Sequence, residues 1–294
     1  MKLKLIVFLL TAAFAGAETF AIVPKFNLGQ QFKIEIKTSR EDPRQGRGGS
    51  SKSDVLLKVI EVNAKGAVAD WTITNTVLLI DIPADQRALF DAMSKAVEGI
   101  HFELQFNTEG EFTGLRNSDE VAGKMAKMAK ILTAEVTKTL PDTQKQAFTT
   151  QLSRILNPST LITSATKNVQ LLFNLSGAEL ETGTPATIQL ESPNPLGGEG
   201  TLPSVFEIHL DKVSGGEAHV RTVQRHDGKA LLGMVTKLIG KAPEGEMPQM
   251  EMVDTGEFVF NTDTKLAKRV RHVRKISAGP IQRTDTTDIT VTAQ

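Results

Sequence analysis

Apolar and polar residues alternate with a period of two in several segments of this chain. In 32–37, 102–107 and 206–211, Phe, Ile or Leu stands at every second position between charged and polar residues. This period places successive side chains on opposite faces of a strand. Strands with one apolar and one polar face are typical of antiparallel sheets, which bury a single face. We therefore predict a large, mainly antiparallel sheet.

Short turns that contain glycine separate some of these segments and predict two hairpins. The four strand segments and the two turns are Leu56–Val62, Asn63–Gly66 and Val68–Thr74, followed by Phe102–Phe106, Asn107–Gly110 and Phe112–Leu115. Asn and Gly favour the left-handed backbone that tight hairpin turns require. Each pair of segments should therefore lie side by side.

Apolar residues spaced by three and four predict helices between the strand groups. Ala84–Val97 follows Pro83, and Ser118 is a suitable N-cap for a helix that extends to about Thr139. Asp142 can cap a second helix, and together the two predict an antiparallel helical hairpin at about 118–157. Lys229–Ile239 has a third amphipathic pattern.

The order of the predicted elements is similar in two parts of the chain, about 18–117 and 185–294. Each part has a strand, a glycine turn, a strand, a helix and then a strand pair. We predict one α+β domain over 18–294, with a large curved, half-barrel-like sheet, helices on one side and a possible two-fold internal duplication.

The N-terminus has the pattern of a cleaved signal peptide. Two lysines in Met1–Lys4 precede the apolar run Leu5–Phe14, and Ala15-Gly16-Ala17 offers small residues for the peptidase. The run is too short to span a bilayer, which needs about 20 residues. We predict removal of residues 1–17, a mature start at Glu18, a periplasmic or secreted protein and no stable membrane span afterwards.

The amino-acid composition excludes several functions for this chain. The chain has 34 basic and 34 acidic residues and no cysteine, which argues against nucleic-acid binding and excludes disulfides and thiol catalysis. We found no motif for a catalytic residue, a metal site or a cofactor, which favours a non-catalytic protein. The best candidates for a metal site are His209 and His219, which would face each other across a hairpin. The alternative is that both are ordinary surface histidines.

A basic cluster near the C-terminus is the strongest charged feature. The anionic-partner face predicted from it consists of Lys268, Arg269, Arg271 and Arg274. It could bind an anionic component of the cell envelope, or it could be a strand face paired with acidic neighbours. Apolar spacing at Leu266, Val270 and Val273 fits a helix as well as a strand.

Methionines and apolar strand residues suggest a ligand cavity, because methionine packs against adaptable apolar surfaces. Packing of an ordinary core is the alternative. The predicted ligand-binding residues are Phe102, Leu104, Phe106, Met125, Met128, Leu132, Phe206 and Ile208.

In its signal peptide, antiparallel strands and inserted helices, the chain resembles the periplasmic lipoprotein-carrier proteins, which are half-barrel, lipid-binding proteins. The segment Pro193–Gly198 is also similar to segments of exported bacterial proteins without a known activity. The resemblance implies a soluble exported protein that binds an apolar or lipid-like ligand without chemistry. The alternatives are an envelope interaction module that uses the basic face and a hydrolase without a readable motif.

Overall fold

The fold is described from a computed structural model that covers residues 17–42, 49–79, 87, 91, 98–137, 149, 158–193, 200–239, 249–279 and 281–294. Within these ranges the strands are β1 Thr19–Ala21, β2 Gln31–Glu41, β3 Gly49–Asn63, β4 Gly66–Leu78, β5 His101–Phe106, β6 Phe112–Leu115, β7 Glu179–Glu181, β8 Ala186–Pro193, β9 Thr201–Ser214, β10 Glu217–His226, β11 Met250–Asn261, β12 Ala267–Ala278 and β13 Ile281–Ala293. The helices are α1 Ser118–Thr137, α2 Pro158–Phe173 and α3 Gly228–Ile239.

Eleven of the strands form one sheet in the order β6-β5-β4-β3-β2-β13-β12-β11-β10-β9-β8, and β1 pairs with β7 in a separate two-stranded sheet. The recorded pairings between named strands are antiparallel. The predicted α+β class with a large antiparallel sheet is confirmed.

The alternating segments are strands, as their pattern predicts. Phe32, Ile34 and Ile36 are buried on one face of β2, while their polar neighbours are exposed or half-buried. Both predicted hairpins form, β3–β4 and β5–β6. Burial of one face stabilises each strand, since apolar area removed from water contributes about 25 cal/mol per Å².

Contacts within the chain divide it into two compact units. The C-terminal unit contains Met1–Lys25, Lys37–Ser50 and Gly177–Thr290, and the N-terminal unit contains Phe26–Ile36, Ser51–Ser176 and Val291–Gln294. Strands β2 and β13 contribute residues to both units. Each unit is described by itself below.

Two blocks of five strands, β2–β6 and β8–β12, have the same order, in which each strand lies beside the next one in sequence. A helix-containing insertion follows the third strand of each block: α3 in the second block, and a segment with helical Arg87 and Asp91 in the first. A duplication would produce this shared order.

The corresponding strands β5 and β11 both continue into the sequence Phe-Asn-Thr, which is 106–108 in one block and 260–262 in the other. The Oδ1 atom of Asn107 accepts backbone N–H groups of Glu109 and Glu111, and that of Asn261 accepts those of Asp263 and Thr264. An asparagine side chain therefore caps both turns. The turns differ in length, because Asn107 donates its backbone N–H to Glu111 and Asn261 donates its own to Leu266.

In the N-terminal unit, α1 packs against α2 and β5, and α2 packs against β6. The apolar face of α1 buries Val121, Met125 and Met128, and α1 begins at Ser118. The predicted N-cap is displaced by one residue, because the carbonyl of Asn117 accepts the first helical N–H, that of Val121, and Ser118 is the first helical residue. The second helix of the predicted hairpin lies almost entirely outside the described residues.

Helix α2, which begins at Pro158 and packs on α1, was not predicted from the sequence. Threonine and serine are common in its sequence, and both have modest helix propensity. Proline in a first helical turn is a start signal that could have identified it.

In the C-terminal unit, α3 packs against β9 and β11. Asp227 caps this helix, because its Oδ1 accepts the backbone N–H groups of Lys229 at 2.8 Å and Ala230 at 2.9 Å. Leu231 on α3 packs with Leu202 on β9 and Met252 on β11 in a small apolar cluster. None of the described helices combines the length and the apolar character that crossing a bilayer requires.

We predict that Gly66→Ala destabilises the protein by about 1–3 kcal/mol. Gly66 has φ +133°, and a Cβ there would lie 2.0 Å from the backbone oxygen of Phe106. The matched control is Gly123→Ala in α1, where a Cβ meets nothing within 4 Å and alanine favours the helix. Urea unfolding of both variants measures the difference. Equal stabilities would show that the close approach at Gly66 is not a constraint.

Candidate functional site

The candidate site lies on the inner face of the C-terminal unit, where polar residues interrupt an otherwise apolar surface. The antiparallel register places Asp254 on β11 opposite Arg274 on β12, and Arg274 opposite Asp285 on β13. Residues opposite each other in adjacent strands project from the same face. Three charged side chains are therefore neighbours on one face.

Asp254 and Arg274 form a two-point ion pair. The Nε of Arg274 donates to Oδ1 of Asp254 and its Nη2 donates to Oδ2, both at 2.7 Å. The Asp254 side chain is only 6% exposed. Two parallel charge-assisted hydrogen bonds are the strongest arrangement for such a pair, and they offset the cost of burying the charges.

His226, at the end of β10, supplies a further donor to the same carboxylate. Its Nε2 lies 3.1 Å from Oδ2 of Asp254, and its side chain is 3% exposed. A carboxylate accepts but does not donate, which assigns the ring proton to Nε2. The buried Nδ1 of His226 has no hydrogen-bond partner among the described residues.

These contacts control the ionisation of Asp254. Burial would raise the pKa of its carboxyl group, but the hydrogen bonds from Arg274 and His226 outweigh that effect and hold the pKa well below its usual range. Asp285 behaves in the same way: burial opposes its ionisation, and hydrogen bonds from Arg283 and Arg40 lower its pKa. Both carboxylates are ionised at neutral pH.

The polar residues continue across the neighbouring strands. Gln224 on β10 donates from Nε2 to the hydroxyls of Ser192 at 2.6 Å and Ser204 at 2.8 Å, and the two hydroxyls are 3.0 Å apart. We call the whole set the polar row; its members are Ser192, Ser204, Gln224, His226, Asp254, Arg274 and Asp285. Each member hydrogen-bonds to another residue of the C-terminal unit, which is the usual condition for burying polar groups.

A cavity of about 80 Å³ lies beside the polar row, against α3. It is lined by Leu231, Met250, Met252, Arg274, Ile276, Arg283 and Asp285. One wall is apolar and the other is charged. The sequence predicted helix α3 but not strand β13, and none of the apolar lining residues was among the predicted site residues. Alternating methionines at 250 and 252, near an amphipathic helix, were the available signal.

The predicted apolar site residues of the N-terminal unit belong to a packed core. Phe102, Leu104 and Phe106 are buried along one face of β5. The ring of Phe106 lies 4.8 Å from that of Phe26 and 4.7 Å from that of Phe173. Close aromatic packing of this kind contributes to stability and fills the space around Phe106.

The remaining predicted apolar residues do not form one group. Met125 and Met128 are buried on α1, and the side chain of Leu132 lies outside the described residues. Ile208, which is buried, and Phe206, which is half-buried, belong to the C-terminal unit instead. The predicted set is thus divided between the two units.

The predicted basic face is also divided. It lies on strand β12, which answers the question of strand or helix. Lys268 pairs with Glu217 and Arg271 with Asp288 on exposed surface, where Arg269 is exposed too, but Arg274 lies on the inner face with Asp254. The period of two that defines a strand separates Arg274 from Arg269 and Arg271.

The expectation that His209 and His219 face each other directly is wrong. The Gly215-Gly216 turn pairs Ser214 with Glu217, which places His219 opposite Lys212, while His209 lies opposite Arg221. Since Arg221 is two residues along β10 from His219, the two histidines are diagonal neighbours rather than a facing pair. No group of three His, Cys, Asp or Glu side chains in the described ranges is arranged to hold a metal ion.

We predict that Asp254→Asn lowers the free energy of unfolding by about 3 kcal/mol, because it leaves the buried guanidinium of Arg274 without its counter-charge. The matched control is Asp288→Asn, which removes a carboxylate from the exposed pair with Arg271 and should cost less than about 1 kcal/mol. Chemical denaturation of both variants tests this. If both variants lose the same free energy of unfolding, burial does not make the Asp254–Arg274 pair more stabilising than the exposed Asp288–Arg271 pair.

The same pair predicts a pH dependence. Because the pKa of Asp254 is lower in the folded than in the unfolded state, its stabilising contribution is complete above the unfolded value of about 4. It is lost as pH falls below that value. Unfolding experiments from pH 7 to pH 2 should show a smaller decline for Asp254→Asn than for the wild type, and parallel declines would contradict the assignment.

Of the comparisons with known proteins, the one with solved structures gave a match. No family model matches the chain, and no curated protein matches it in sequence. Among solved structures, the chain is similar to lipovitellin, in a structure described by its lipid–protein interactions, with a TM-score of 0.45 and 8% identity. The match covers 92% of this chain and 26% of the lipovitellin chain.

Proposed function

We propose that this chain is an exported, non-catalytic protein that binds an apolar or lipid-like ligand. The observation that carries the proposal is the cavity of about 80 Å³ between α3 and the sheet, whose apolar wall includes Leu231, Met250 and Met252. Ligand sites are typically apolar cavities with a few well-placed polar groups. An engineered cavity of about 150 Å³ holds benzene, so this one suits part of a ligand, such as one end of a lipid-like molecule.

The flexible methionine side chains support an adaptable site. Met250 and Met252 lie on the same face of β11, and both line the cavity. Unbranched thioether side chains can change rotamer to accept ligands of different shape.

The contacts of the buried histidine argue against hydrolytic chemistry at this site. A nucleophile would need its hydroxyl within hydrogen-bond distance of the histidine base. In the described part of the chain, the nearby hydroxyls of Ser192 and Ser204 bond to Gln224, and His226 bonds to Asp254. This arrangement supports a binding role over a catalytic one.

Export remains a proposal that depends on the predicted leader 1–17. The segment that follows it is part of the fold: Glu18 donates its backbone N–H to the hydroxyl of Thr182, and Phe20 on β1 is buried. Cleavage after Ala17 would therefore leave β1 intact.

We expect the purified mature protein to carry a small apolar ligand that native mass spectrometry detects as added mass and organic extraction removes. Met250→Gln should reduce the bound fraction several-fold, because Met250 lines the cavity. Met234→Gln is the matched control, since Met234 packs against the small apolar cluster around Leu231 without lining the cavity. Purification of only unliganded protein, with no binding of added fatty acids or phospholipids, would overturn the proposal.

We also expect mass analysis of the protein from its native host to show a chain that begins at Glu18. Ala17→Trp should block processing, because the peptidase requires a small residue before the cleaved bond. A mature chain that still begins at Met1 would remove export from the proposal and leave ligand binding to be judged separately.

A further inference from the structure

The cavity beside α3 is amphipathic, and its polar wall points to the chemistry of the ligand. Its apolar wall consists of Leu231, Met250, Met252 and Ile276, and its charged wall of Arg274, Arg283 and Asp285. The register places Ile276 between the two walls, opposite Met252 on β11 and opposite Arg283 on β13. A ligand in this cavity would touch both walls at once.

Two guanidinium groups share one carboxylate beside the cavity. Arg274 pairs with Asp254, and Arg283 and Arg40 both pair with Asp285 at N–O distances of 2.5 and 2.9 Å. Arg274 and Arg283 line the cavity, whereas Arg40 is 57% exposed and does not. Since Asp285 is divided between two arginines, Arg283 does not have a carboxylate to itself.

Arg274 and Arg283 also have N–H groups that their ion pairs do not use. Arg274 and Arg283 each bind their carboxylate through Nε and Nη2. Within the described ranges nothing else bonds to these two side chains, so two N–H groups on each Nη1 are left for a further acceptor. The side chains of Arg274 and Arg283 are 22% and 34% exposed, so their donors are partly removed from competing water.

We propose that this cavity recognises an amphiphile with a carboxylate head, such as a fatty acid. The carboxylate accepts from the Nη1 groups of Arg283 and Arg274, and the first carbons of the chain lie against Met252 and Ile276. This inference rests on the proposed binding function and adds the class of head group. A neutral amphiphile of the same length would satisfy the apolar wall but would offer the two arginines one uncharged acceptor instead of two charged ones.

The test uses the full mature protein with ¹³C-labelled methionine methyl groups, titrated with octanoate, 1-octanol and acetate. We expect octanoate to shift the methyl signals of Met250 and Met252 in a saturable way, and 1-octanol and acetate to bind at least about tenfold more weakly. Met125 and Met128, buried in the N-terminal unit, serve as internal references. Equal affinity for octanoate and 1-octanol would overturn the carboxylate assignment and leave the proposed function standing.

Arg283→Gln should weaken octanoate binding at least tenfold and leave 1-octanol binding unchanged. Arg271→Gln is the matched control, because it removes the same charge from the neighbouring strand but on the exposed side of the sheet. Arg283→Lys should retain part of the affinity for octanoate.

If Arg283→Gln is unfolded, the carboxylate assignment is tested by the comparison of octanoate with 1-octanol on the wild type. Unchanged octanoate affinity in a folded Arg283→Gln would overturn the inference, whereas failure of every lipid to bind would overturn the proposed function itself.

Discussion

The C-terminal unit depends on the pairing of one buried charge. Asp254 is almost fully removed from water and keeps its charge because Arg274 and His226 bind it on both oxygens. An unpaired carboxylate at this depth would cost several kcal/mol. A slip of one residue between β11 and β12 would turn Arg274 to the other face. The pair therefore fixes which faces of these strands are buried and how they align.

The polar row then determines where a ligand can bind. It runs across the inner face and separates two apolar patches, one around Leu202, Met252 and Ile276, and another that includes Val220 and Phe258. Helix α3 covers the first patch, with its N-terminus fixed by Asp227 directly after His226. A helix that packs on a small apolar patch beside charged residues leaves an amphipathic cavity at the boundary, and the proposed function uses this cavity.

The two five-strand blocks share a strand order but differ at matching positions. Asn107 and Asn261 stand at the ends of β5 and β11, and the same number of residues before them stand Ile100 and Asp254. Ile100 is buried and apolar, whereas Asp254 is the centre of the ion-pair network. The blocks thus share a chain order and a capped turn but differ in the chemistry of an equivalent buried position.

The sequence by itself determined the alternating strands and the two glycine hairpins, because alternation in β2 and β5 and the glycine turns act through local backbone geometry; it did not reveal α2. The absence of cysteine also excluded disulfides and thiol chemistry. Only the tertiary structure decided that Arg274 faces Asp254 rather than its basic neighbours, that His209 and His219 are not opposite each other, and that Met250 and Met252 lie beside Leu231. These outcomes depend on strand register and on which helix covers which patch, and both are set by contacts between residues far apart in the chain.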